Sequence, residues 1–111
     1  MLTIKDVENF KETFNDETDF GEPQHWIYLK SGRSLEITHE EYGLSENEQY
    51  FSIRLHCSEE EFDNMDYYKT CGIITTYYKT CGVITTLTAT TAQDTLNCIN
   101  AIMRTFKEME D

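Results

Sequence analysis

With 111 residues, 39% hydrophobic and 13% aromatic, the chain is long enough for one domain and too apolar for a disordered tail. Its net charge of −12 is gathered at one end: residues 1–66 carry 17 acidic and 5 basic side chains, residues 67–111 four of each. That balance argues against direct binding to nucleic acid or anionic membranes, and favours a basic protein surface as partner.

Residues 3–14, TIKDVENFKETF, predict a helix capped by Thr3, with Asp6 completing a weak capping box and Leu2 and Val7 placed as a hydrophobic staple. Val7, Phe10 and Phe14 form its apolar stripe. NDETDFGEP, residues 15–23, then breaks the helix. HWIYLKSGRSLEITH, residues 25–39, predicts a β-hairpin whose Lys30-Ser31-Gly32 loop needs the left-handed glycine of a three-residue connection. That register puts Ile27, Leu29, Leu35 and Ile37 on one face and Trp26, Tyr28, Ser34 and Glu36 on the other. After EEYGLSENE, residues 40–48, the strand YFSIRLHC alternates in the same way. Phe51, Ile53, Leu55 and Cys57 oppose Tyr50, Ser52, Arg54 and His56. SEEEFDNMD, residues 58–66, is a further acidic connection with room for one helical turn.

Residues 67–76, YYKTCGIITT, are followed directly by YYKTCGVITT at 77–86, differing at Ile73 and Val83. β-branched residues favour strand and KTCG favours a turn, so each copy reads as one strand plus one turn. Strands are expected near 64–68, 73–78 and 83–90, in a meander. A looped-out copy or an extended arm are the other placements open to it. A helix from about Ala92 to Met109 closes the chain, capped by Thr91, with Leu96, Ile99, Ile102, Met103 and Phe106 turned inwards. The expected fold is α+β: an antiparallel sheet of five to six strands packed with an N-terminal and a C-terminal helix.

Met1 leads into charged residues without the apolar core of a secretory signal, and no run reaches the ~18 apolar residues of a membrane span. A cytoplasmic protein is expected, with Cys57, Cys71, Cys81 and Cys98 reduced. The expected site has no metal, cofactor or catalytic group. His25, His39 and His56 lack ligand spacing, and NDETDFGE has its glycine misplaced for a calcium loop. Cysteine or serine beside an oriented base is not legible, so a non-enzymatic protein is expected.

Binding remains. Three acidic connections hold Asp16, Glu17, Asp19 and Glu22; Glu40, Glu41, Glu46 and Glu48; and Glu59, Glu60, Glu61, Asp63 and Asp66. Phe20, Tyr42 and Phe62 are interleaved with them, rings to anchor and charges to steer. The groups at 40–48 and 59–66 are expected to share one contiguous surface. In size, acidity and α+β layout the chain resembles the small acidic inhibitors of phages and mobile elements, the anti-CRISPR and anti-restriction proteins. The resemblance carries over no individual residue. It implies a nucleic-acid mimic that occupies the basic groove of a nucleic-acid-binding protein. An immunity- or antitoxin-like protein facing a basic toxin would use the same surface. A homodimer built on the repeat, through Tyr67, Tyr68, Tyr77 and Tyr78, is the structural alternative.

Overall fold

The computed structural model describes residues 2–41, 48–63 and 82–109. Chain order is α1 (Ile4–Glu8), α2 (Phe10–Thr13), β1 (Asp16–Glu17), β2 (Pro23–Tyr28), β3 (Ser34–His39), β4 (Phe51–His56), α3 (Glu59–Asp63), β5 (Val83–Ala89) and α4 (Ala92–Thr105). The strands form one antiparallel sheet in the order β1-β2-β3-β4-β5, an α+β meander with helices at both ends.

The N-terminal segment carries both capping-box bonds: Thr3 N–H donates to Asp6 Oδ2 at 2.9 Å, and Asp6 N–H to Thr3 Oγ1 at 3.2 Å. The expected single helix is broken at Asn9, whose ψ of 37° leaves the helical region. Val7 and Phe10 are buried on either side of the break, and Phe14 packs beside them. The β2–β3 turn follows its expectation. Leu29 N–H bonds Arg33 O at 2.9 Å, and Gly32 has φ +93°, where a Cβ would be strained.

Residues Leu35, Ile37, Phe51, Ile53, Leu55 and Ala89 face α4 and the N-terminal helices, and with Val7, Phe10, Ile99, Ile102 and Met103 they form the core. Thr91 caps α4 by accepting from Asp94 N–H at 3.0 Å. The helix ends four residues short of Met109, because Lys107 takes φ +57°. Glu108 N–H then reaches back to Met103 O at 2.7 Å and Lys107 N–H to Arg104 O at 3.2 Å, a closure normally made with glycine.

β5 realises the expected strand near 83–90, while those near 64–68 and 73–78, with Cys71 and Cys81, lie outside the described residues. β5 pairs directly with β4, and Cys57 N–H bonds Gly82 O at 2.8 Å, so the two ends of the segment 57–82 meet at one point. No strand of the repeat therefore lies between them. Gly82 has φ +62°, and a Cβ there would stand 3.4 Å from Cys57 Sγ and from the Phe62 ring.

Each copy ends Cys-Gly-(Ile/Val)-Ile-Thr-Thr, so removing residues 77–86 puts Gly72 at the turn and Ile73–Thr76 into β5 ahead of Leu87. The helix α4 keeps its direction and docking face. We expect the shortened chain to melt cooperatively within about 1 kcal/mol of the parent, since loop shortening contributes a few tenths and one methylene at most about 0.8 kcal/mol. An unfolded product by circular dichroism would show that the second copy holds contacts the first cannot supply.

Candidate functional site

The candidate surface is built where β1 turns into β2. Thr18 Oγ1 accepts from Phe20 N–H at 3.3 Å and Glu22 N–H at 3.1 Å, while Thr18 N–H donates to Glu22 O at 2.9 Å. Gly21, at φ +81°, completes the reversal. The turn thrusts Phe20 into solvent at 91% exposure. Asp16, Glu17 and Asp19 surround it, all exposed.

The next connection joins this end. Glu22 Oε2 accepts from Glu41 N–H at 3.0 Å, so Glu22 clamps the β3–β4 connection to the β1–β2 turn. Glu40 N–H bonds Tyr50 O at 2.8 Å, and its carboxylate lies 3.7 Å from Arg54 Nη2. Glu48, also exposed, precedes β4 at the same end. Beneath them His39, 5% exposed, stacks on Phe10 at 4.0 Å and meets Phe51 edge-on at 5.0 Å. Among the described residues neither ring nitrogen finds a hydrogen bond, and Glu41 Oε1 is 3.6 Å from Nδ1. Burial holds this imidazole below its ordinary value, and so neutral.

The third acidic group sits at the opposite end. Glu40, Glu41 and Glu48 adjoin Phe51, the first residue of β4, and Glu59 follows His56, its last. A six-residue strand separates them by roughly 17–20 Å. Among the described residues, Glu40, Glu41 and Glu48 therefore share no surface with Glu59, Glu60, Glu61 and Asp63, against the expectation of one contiguous surface. Each connection folds back on its nearest neighbour instead, Glu41 to the β1–β2 turn and Glu61 to the β2–β3 turn.

Within that third group the roles divide. Glu61 accepts from Arg33 Nε at 2.9 Å and Nη2 at 2.8 Å, and from Ser58 N–H at 2.9 Å, while Ser58 Oγ accepts from Glu61 N–H at 3.1 Å. This is a reciprocal cap on α3. The Arg33 hydrogen bonds, with that of Ser58, hold the Glu61 carboxyl down to about 2. Ser-x-x-Glu at 58–61 is the sequence signal for it, hidden among three consecutive glutamates. Phe62 is half-buried over Gly82. Glu59, Glu60 and Asp63 are exposed. Glu46, Tyr42 and Asp66 lie outside the described residues.

Protein-family models, curated proteins and solved structures give no match to this chain.

The sheet face away from the helices carries a second polar cluster. Glu36, 5% exposed, takes hydrogen bonds from Thr38 Oγ1 at 2.7 Å and Arg54 Nη1 at 3.4 Å and shares one with His56 Nε2 at 2.9 Å. Burial pushes its carboxyl up, but those bonds and the Arg54 charge outweigh it and keep Glu36 below its ordinary value. An ionised carboxylate with both oxygens engaged is a poor proton donor or acceptor for a substrate. Trp26 Nε1 donates to Gln24 Oε1 at 2.9 Å, and the Trp26 ring lies 4.9 Å from that of His56. This cluster rigidifies the sheet. Among the described residues no helix is long and apolar enough to cross a membrane, and no group of three His, Cys, Asp or Glu is arranged to hold a metal.

Proposed function

We propose that the protein is a small non-enzymatic binding module that presents the β1–β2 end to a basic protein surface. The observation that carries this reading is Phe20, 91% exposed on a hydrogen-bonded turn and flanked by Asp16, Glu17 and Asp19. An apolar ring held out of the core at the centre of a charged surface supplies desolvation energy, while the carboxylates orient the encounter. Glu22 fixes the shape of that surface by accepting from the Glu41 backbone amide, and the exposed Glu41 carboxylate adds to its charge. A groove that otherwise holds nucleic acid is the partner chemistry that dense carboxylates fit, which makes the module an inhibitor of the anti-CRISPR or anti-restriction kind.

The test takes the protein captured by the wild type and measures its binding by surface plasmon resonance. Asp16→Lys, Glu17→Lys and Asp19→Lys together should slow association about tenfold or more, with a steep loss of affinity as salt rises. Phe20→Ala should act on dissociation, by roughly 10- to 100-fold. Duplex DNA should compete for the same site. Binding that ignores salt and all four substitutions would overturn the proposal, and failure of DNA to compete would remove the nucleic-acid groove from it.

A further inference from the structure

Two of the ring contacts that seat the N-terminal helices on the sheet involve a histidine. Phe10 of α2 stacks on His39 of β3, with centroids 4.0 Å apart and planes inclined by 15°. Phe14, which follows α2, meets His25 of β2 at 5.4 Å. His39 pairs with Phe51 and His25 with Ile37, so both imidazoles lie on the sheet face that carries the core.

Each contact suits a neutral ring. Both His39 nitrogens are buried without a hydrogen bond among the described residues. His25 Nδ1 accepts from Asn15 N–H at 3.3 Å, which it can do only while it carries no proton. Asn15 leads from α2 into β1, and its side chain also holds Trp26 on β2. A proton on His25 therefore sets two N–H groups against each other at that junction. A proton on His39 puts a charge and a second donor into an apolar cage. The surrounding charges do not cancel that cost. Glu41, half in solvent, stands 3.6 Å from His39 Nδ1 and Glu22 adds a weaker pull, while Lys11 of α2 pushes the other way. Phe51, from β4, brings no charge. The Phe10 face attracts a cation, yet Nε2–H would still have no acceptor among the described residues. Around His25, Asp6 of α1 favours the proton and the amino terminus opposes it. Burial is the largest influence on both rings, and holds each below its ordinary value of 6.5.

We propose that His39 and His25 form an acid-sensitive latch: protonation of the two rings frees α1, α2 and Asn15 from the sheet, while β3, β4 and α4 keep their fold. Opening leaves both rings in water, where they take up protons at their ordinary value, whereas the seated rings resist. The closed form is therefore fully favoured above 6.5 and loses ground as pH falls below it. The loss is at most about tenfold per pH unit for each histidine. The capping box of α1 is not its source. The Asp6 carboxyl is held below its ordinary 3.8 by its bonds to Thr3, so it stays ionised through this interval. The latch belongs to the chain alone and requires no partner.

Amide hydrogen exchange of the full chain from about pH 7.5 to about pH 5, corrected for the intrinsic exchange rate, tests this. Protection at the Val7 and Phe14 amides, which bond Thr3 O and Phe10 O, should fall about tenfold or more. Amides of β3 and β4 should change by less than about twofold. His39→Phe combined with His25→Asn keeps a ring on Phe10 and an oxygen acceptor for Asn15 N–H, and should abolish the fall. If that variant does not fold, titration of the wild-type imidazoles by NMR decides, with both rings expected to take up protons only below 6.5. Unchanged protection at Val7 and Phe14 overturns the proposal. So does an equal loss across the sheet, which would be global unfolding, a fall that persists in the double variant, or imidazoles that titrate at or above 6.5.

Discussion

Replacing Phe51 with alanine should lower stability by about 3–5 kcal/mol, the usual range for a fully buried phenylalanine. Phe51 is 0% exposed and pairs with His39 on one side and Ala89 on the other. Its ring meets Phe10 edge-on at 5.7 Å and Phe14 at 6.4 Å, so one side chain joins the N-terminal helices to the centre of the sheet. Truncation leaves a cavity bordered by β-sheet on one side, where collapse is limited. A domain of this size has roughly 5–15 kcal/mol in all and loses about 4–8 °C of melting temperature per kcal/mol. The Phe51→Ala melt should fall well below the parent's. Phe20→Ala, the same change at an exposed site, should shift stability by no more than about 0.5 kcal/mol. Similar melts for the two variants would mean that Phe10 and Phe14 refill the space.

Arg33→Met should be the most damaging change outside the core, at about 2–3 kcal/mol after allowing for partial exposure of the pair. Arg33 grips Glu61 with two nitrogens, stands 3.6 Å from Glu108 and lies 5.8 Å over the Phe106 ring. It therefore ties the β2–β3 turn to α3 and to the end of α4. Methionine keeps the aliphatic stem but strands the Glu108 carboxylate, 6% exposed, with Ser31 as its remaining partner at 2.7 Å. The pH dependence identifies the cause. Glu61 is held to about 2 in the folded protein against 4.5 when unperturbed, so its contribution is complete above 4.5 and disappears as pH falls towards 2. The difference between wild type and Arg33→Met should shrink over that interval in urea melts. Adding Glu61→Gln should recover part of the loss. A pH-independent difference would assign it to packing on Phe106 instead.

Local chemistry made most of the elements legible. Gly32 announced the hairpin, Thr3 and Thr91 the helix starts, and strict alternation the strand at 51–56. Features that depend on distant neighbours were not legible. β1 is made of acidic residues with poor strand preference and exists because Asn15 and Thr18 hold it to β2. The end of α4 lacks the glycine that usually marks a stop, since the pull of Arg33 and Ser31 on Glu108 favours a left-handed Lys107. For the candidate site, composition located the carboxylates but could not say which were spent. Glu22 and Glu61 look like their neighbours in the sequence and differ only in the backbone amides and the guanidinium they meet.

The return of the chain to its starting point between Cys57 and Gly82 bears on inheritance. Tandem copies of this kind grow and shrink by misaligned recombination, and most such events in a coding sequence would scramble a fold. Here the second copy ends in residues that enter β5, and the first copy ends in nearly the same ones. Gain or loss of a whole unit is expected to leave β5 and α4 in register, so that selection on folding alone would be blind to copy number.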